Sequence, residues 1–196
     1  ALGWDRTDWQ GHQQLQDRLV FAARRDREAA GGVLVDMQNV RLEKTDCGWT
    51  TRGQREGRDG GSYGAPHRRE REYHMDAGLR MVLRVDPAEV DPGIDAIAAA
   101  FDRPARPLFI GRKPCLPTGR FVQGWVMAPD AYAALLEVAP VSQRLRAFWP
   151  ADHGPDNGDR VDRVIHLADE RNWRTGLHAG GRAVVEGWLW PAGPAA

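Results

Sequence analysis

Five cations and no carboxylate lie between Asp102 and Asp130: Arg103, Arg106, Arg112, Lys113 and Arg120. Over the whole chain Lys+Arg and Asp+Glu balance at 27 each. The gap is therefore a sorted patch, not a reflection of net charge. Its centre reads Gly111-Arg112-Lys113-Pro114-Cys115-Leu116-Pro117-Thr118-Gly119-Arg120. Glycine lets backbone N–H groups come close to a phosphate, the cations neutralise it, and proline keeps the loop from rearranging. The chemistry is that of holding a polyanion. A solvated basic turn is the plain alternative, and composition alone favours it.

Signals for catalysis are sparse. The six histidines (His12, His67, His74, His153, His166 and His178) form no HxH, HExxH or i,i+4 pair, so no metal site is expected. Cys47 and Cys115 lie in no CxxC pair, which argues against a zinc site or disulfide framework and for a reducing, cytoplasmic setting. Asp152, His153, Asp156 and Asp159 cluster in a Gly/Pro-rich stretch that reads as a solvated turn. P-loop and GxGxxG patterns are absent. No cofactor is expected. A metal-independent ribonuclease needs only an acid and a base, and His74, Tyr73 and Lys113 keep that formally open.

A second concentration of charge lies at residues 41–70. Glycines and arginines dominate it, and almost no aliphatic residue interrupts them. Such a stretch cannot bury enough apolar surface to order itself. It is either a disordered loop or an arm that orders on a polyanion. Its candidate contacts are Trp49, Arg52, Arg55, Arg58, His67, Arg68 and Arg69. Trp49 could stack on a base, and so could Tyr73, just after Arg71; packing at a sheet edge is the alternative for both.

The elements that must carry these residues read as α+β. Thr7 or Asp8 caps a helix to about Asp17, and residues 19–25 form a strand. Residues 33–37 form a second strand. Order returns at Tyr73, and Leu79, Met81, Leu83 and Val85 alternate through the clearest strand. Asp91 caps a helix with Pro92 in its first position and Ile94, Ile97, Ala98 and Phe101 at helical spacing. Leu108-Phe109-Ile110 is a short apolar strand ending at Gly111 before the basic loop, and residues 121–127 form another. A small helix spans residues 130–138; residues 160–167 and 182–190 are strands. Trp125, Trp188 and Trp190 lie in strand patterns and read as core. No run of about 18 apolar residues marks a membrane span.

Four stretches, in order, resemble one family. Arg106 through Pro117 is similar to its "P-x-hydrophobic-x-G-R-R/K-x-C-P" signature. Leu19-Val20-Phe21-Ala22-Ala23-Arg24-Arg25-Asp26 is similar to its "F-A-V-R-x-D" strand, and Leu34-Val35-Asp36-Met37-Gln38 to its "L-x-D-Y-H" strand end. Arg71-Glu72-Tyr73 with Asp76-Ala77 is similar to "R-E-Y-L-x-D-A". The family is CasD, or Cas-five, the guide-handle-binding subunit of type I-E CRISPR Cascade. The resemblance covers roughly residues 1–140.

It implies a ferredoxin-like RAMP fold with an antiparallel sheet. Residues 1–128 would be the core with a β-hairpin thumb at about 41–70, and residues 129–196 a β-rich extension. It implies a non-catalytic subunit that binds the 5′ handle of crRNA, caps the backbone subunits and contacts the large subunit that reads target DNA. It would be neither membrane-bound nor a homo-oligomer. Arg71, Tyr73, Arg106, Gly111, Arg112, Lys113, Pro114 and Arg120 would touch RNA. The family's opening strand and basic loop have no counterpart before Ala1, so the chain reads as starting inside something longer, and by itself would expose an apolar sheet edge. A processing endoribonuclease acting on CRISPR repeat RNA is the alternative function, and an unrelated α+β binding module is the third.

Overall fold

Short apolar stripes and period-two alternation give three helices and seven strands among the described residues, which in this computed structural model are 1–27, 32–40, 67–109 and 115–190. In chain order they are α1 (Trp9–Arg18), β1 (Leu19–Arg27), β2 (Val33–Val40), β3 (His67–His74), β4 (Gly78–Val85), α2 (Ile94–Asp102), α3 (Ala131–Glu137), β5 (Leu145–Pro150), β6 (Val161–Arg171) and β7 (His178–Leu189). The fold class is α+β, as expected from the sequence. The chain divides into two units, Ala1–Asp26 with Leu79–Ala196, and Arg27–Gly78.

The first unit is built on a five-stranded sheet of order β4-β1-β5-β7-β6. β5 pairs antiparallel with both β1 and β7, and β7 with β6. Alternation along β5 sends Leu145, Ala147 and Trp149 to the core side, where Val185 and Leu189 of β7 meet them. α3 covers this side with Tyr132 and Leu135. Asp130 starts that helix by accepting the Ala133 backbone N–H at 2.7 Å, satisfying an otherwise orphaned donor. The Tyr132 and Trp149 rings meet edge to face, 4.7 Å apart. Trp149 donates its indole N–H to the Pro155 carbonyl at 2.9 Å. Tyr132 in turn accepts from the Arg160 guanidinium at 2.7 Å. Tyr132→Phe keeps the ring and loses only that charge-assisted bond, so it should cost about 1–2 kcal/mol, read as a lower urea midpoint with an unchanged slope.

Among the described residues two arginines are buried, because backbone carbonyls receive them. Arg24 on β1, 2% exposed, donates to the Leu135 and Ala139 carbonyls at 2.6 and 3.0 Å and to the Asp26 carboxylate at 2.6 Å. Arg18, at the end of α1, donates to the Pro87, Val90 and Asp91 carbonyls and so shapes the approach to α2. The polar face of α1 is fastened by glutamines. The Gln16 amide both donates to the Arg171 carbonyl and accepts the Trp173 indole N–H, and Gln13 accepts the Trp173 backbone N–H.

Several expectations need correction. α2 starts two residues later than expected, with Gly93 as its N-cap. β3 begins at His67, so order returns before Tyr73. The strand expected over residues 121–127 does not form, and Leu108 and Phe109 of the other expected strand lie in none, while Ile110 is outside the described residues; alternation without a neighbour makes no ladder. Trp125 is 66% exposed instead of core. Trp188 and Trp190 lie on the outer side of the sheet. The Arg144 guanidinium lies 3.9 Å from the Trp188 ring centroid, Arg146 lies 4.3 Å from it, and the Trp188 N–H goes to Asp162 at 2.8 Å. Among the described residues, Trp149 is the tryptophan in the core.

Candidate nucleic-acid interface

The second unit is a two-stranded antiparallel ribbon in which every residue of β2 has a partner in β3. Opposed residues in such a pair share a side, and successive residues change side. The register therefore sorts the chemistry. One side carries Leu34 against Tyr73, Asp36 against Arg71, and Gln38 against Arg69; the other carries Val33 against His74, Val35 against Glu72, Met37 against Glu70, and Asn39 against Arg68. The run Arg69-Glu70-Arg71-Glu72 alternates in sign, so the strand period delivers its arginines to one side and its carboxylates to the other.

Two of the expected RNA contacts, Arg71 and Tyr73, thus fall into one row with the thumb candidate Arg69. Both arginines are exposed, and Tyr73 is half-buried. Each arginine gives one N–H to the carbonyl of the preceding residue at 3.1 Å. Among the described residues neither takes part in an ion pair. Asp36, which accepts from the Gln38 amide at 3.0 Å, is the single acid of this row. Arg68 lies on the opposite side, so the neighbouring thumb arginines do not act as one patch. His67 is the first residue of β3. Trp49, Arg52, Arg55 and Arg58 lie outside the described residues. Leu34 and Gln38 share the basic side and were not singled out from the sequence; the strand period, once β2 and β3 were aligned, would have found them.

The first unit holds the remaining candidates. Gly111, Arg112, Lys113 and Pro114 lie outside the described residues. Arg106 is exposed at the rim of a cleft of about 270 Å³, lined on its apolar side by Trp4, Leu15, Leu83, Ile97 and Phe101. Arg120 is engaged: its Nε donates to Asp102 at 2.7 Å and its Nη2 makes a second bond to the same carboxylate. Asp102 is held below the usual carboxylate range, first by those hydrogen bonds and then by the charges of Arg120 and Arg103. The acid-free interval in the sequence is therefore answered in space by the residue at its border. Among the described residues no group of three His, Cys, Asp or Glu is placed to hold a metal ion.

Tyr73 and His74 are adjacent on β3 and therefore stand on opposite sides of the ribbon. They cannot face one scissile bond together. What the ribbon can do is present two guanidiniums and a phenol along one line, a spacing suited to phosphates interleaved with a stacking surface.

Comparison with known proteins agrees in kind. A family model described as CRISPR-associated protein (Cas5) matches residues 1–185. No curated protein matches. Among solved structures, the chain is similar to one titled "CRISPR RNA-guided surveillance complex", with a TM-score of 0.59 and 20% identity over 95% of this chain and 76% of that one. The likeness extends to the arrangement of sheet and helices, in line with a ferredoxin-like RAMP architecture.

Proposed function

Because the chain belongs to the Cas5 family of CRISPR-associated proteins, we propose that it grips the 5′ handle of the guide RNA in a type I-E CRISPR surveillance complex, without catalysing a reaction. The observation that carries this reading is the row Arg69–Arg71–Tyr73 on one side of the β2–β3 ribbon. A handle is single-stranded, so its bases can splay and stack while its phosphates are neutralised. The guanidiniums fix the register of the backbone, and the phenol offers a face to a base. The basic loop around Arg112 and Lys113 would hold a second stretch of the same strand. Backbone and large subunits would join on the rest of the surface, and target DNA would be met through the assembled complex, in the cytoplasm.

The non-catalytic part of this reading is supported by the separation of Tyr73 from His74. The test is incubation of the purified complex with CRISPR repeat RNA in EDTA. Intact repeat, with guide RNA of uniform length co-purifying, is the expected result. Specific cleavage lost on replacing a single side chain of this chain would convert the assignment to a processing endoribonuclease.

A further inference from the structure

The side of the ribbon that turns away from Arg69, Arg71 and Tyr73 has a different chemistry. Val33, Val35 and Met37 line it, exposed by 43, 48 and 59%. Glu72 and Glu70 stand opposite Val35 and Met37, and both are exposed. Three apolar side chains in a row on one strand face are costly to leave in water. Two carboxylates beside them repel a phosphate chain at the distance where the opposite side attracts one. Arg68 is the one arginine here, placed beyond Met37 opposite Asn39, and His74 closes the other end opposite Val33.

We propose that this side docks a protein partner whose surface is apolar and fringed by lysine or arginine. The acidic pair fits a basic rim, and the valine–methionine row fits an apolar centre. Nucleic acid satisfies neither feature. The ribbon is then a divider with RNA against one side and a neighbouring subunit against the other. The proposal deepens the reading above and rests on it in one respect: the chain works inside an assembly that contains RNA.

The test uses the complete complex with a benzophenone amino acid placed singly at Met37 or at Gln38, neighbours on opposite sides. Irradiation is expected to join position 37 to a polypeptide and position 38 to the guide RNA. RNA captured at position 37, or no capture at 37 and at 35, would overturn the docking face. Protein captured at both positions would sink the RNA row and leave the docking face standing, so the two failures are told apart. A second arm uses Glu70→Lys with Glu72→Lys. The partner subunit should dissociate about tenfold faster or more, while guide RNA is held as tightly as before. Unchanged partner dissociation would also overturn the proposal.

Discussion

Trp149→Ala is expected to cost about 3–5 kcal/mol of folding stability, the largest loss any single side chain of the first unit should give. Trp149 is fully buried. Its ring lies against Tyr132, and its N–H is spent on the Pro155 carbonyl, so removal opens a cavity and also orphans an acceptor. Collapse cannot fill the space cheaply, because the surrounding backbone already touches it. An added Cβ on Gly154 would come within 2.5 Å of Tyr132 Cβ and 2.8 Å of the Trp149 ring. Trp149→Phe should recover most of the packing and none of the hydrogen bond. Urea titration of the three proteins measures both terms; an alanine variant within 1 kcal/mol of the parent would show that β5 is not the centre of the core.

The second large effect concerns binding. Arg71→Ala combined with Tyr73→Ala should weaken RNA-handle binding by about 2.5–6 kcal/mol, the sum of one charge-assisted contact and one stacked base. The two halves are separable. Loss of Arg71 should lower the slope of log affinity against log salt by about one, whereas loss of Tyr73 should leave that slope alone. Glu72→Ala, on the far side of the same strand, is the control for damage to the ribbon itself and should not weaken RNA binding. Full RNA affinity in the double variant at moderate salt would remove the row from the interface.

Much of the framework was legible in the sequence. α1, β1, β4 and α3 stood out because each carries a clear period bounded by a cap or a turn. Faces were harder. Periodicity tells which residues share a side of a strand but not which side meets the core. Trp188 and Trp190 were therefore read as core although they lie on the outer side beneath Arg144 and Arg146, and Leu79 and Met81 are exposed while Val82 packs inward. β5 went unread because its six residues set Arg146 among apolar ones and end at Pro150, which argues against a strand. The glutamine clasp of α1 on Trp173 left no pattern, since amide hydrogen bonds across more than 150 residues have no spacing to detect.

The site was legible by composition and not by arrangement. His67, Arg68 and Arg69 were grouped together as thumb contacts, and only the pairing with β2 puts Arg68 on the side opposite Arg69. Arg120 could not be recognised as engaged, because Asp102 lies just outside the interval that looked free of acids.

The ribbon's two identities hang on parity. Every arginine of the RNA row occupies an odd position of β3, and the two carboxylates occupy even ones. Sliding β3 by a single residue against β2 would exchange them, turning an anion-seeking surface into an anion-repelling one while leaving composition, length and net charge untouched. A one-residue insertion or deletion within β3 is thus a change of polarity and not of size, and homologous hairpins can be compared only after their odd and even positions have been matched.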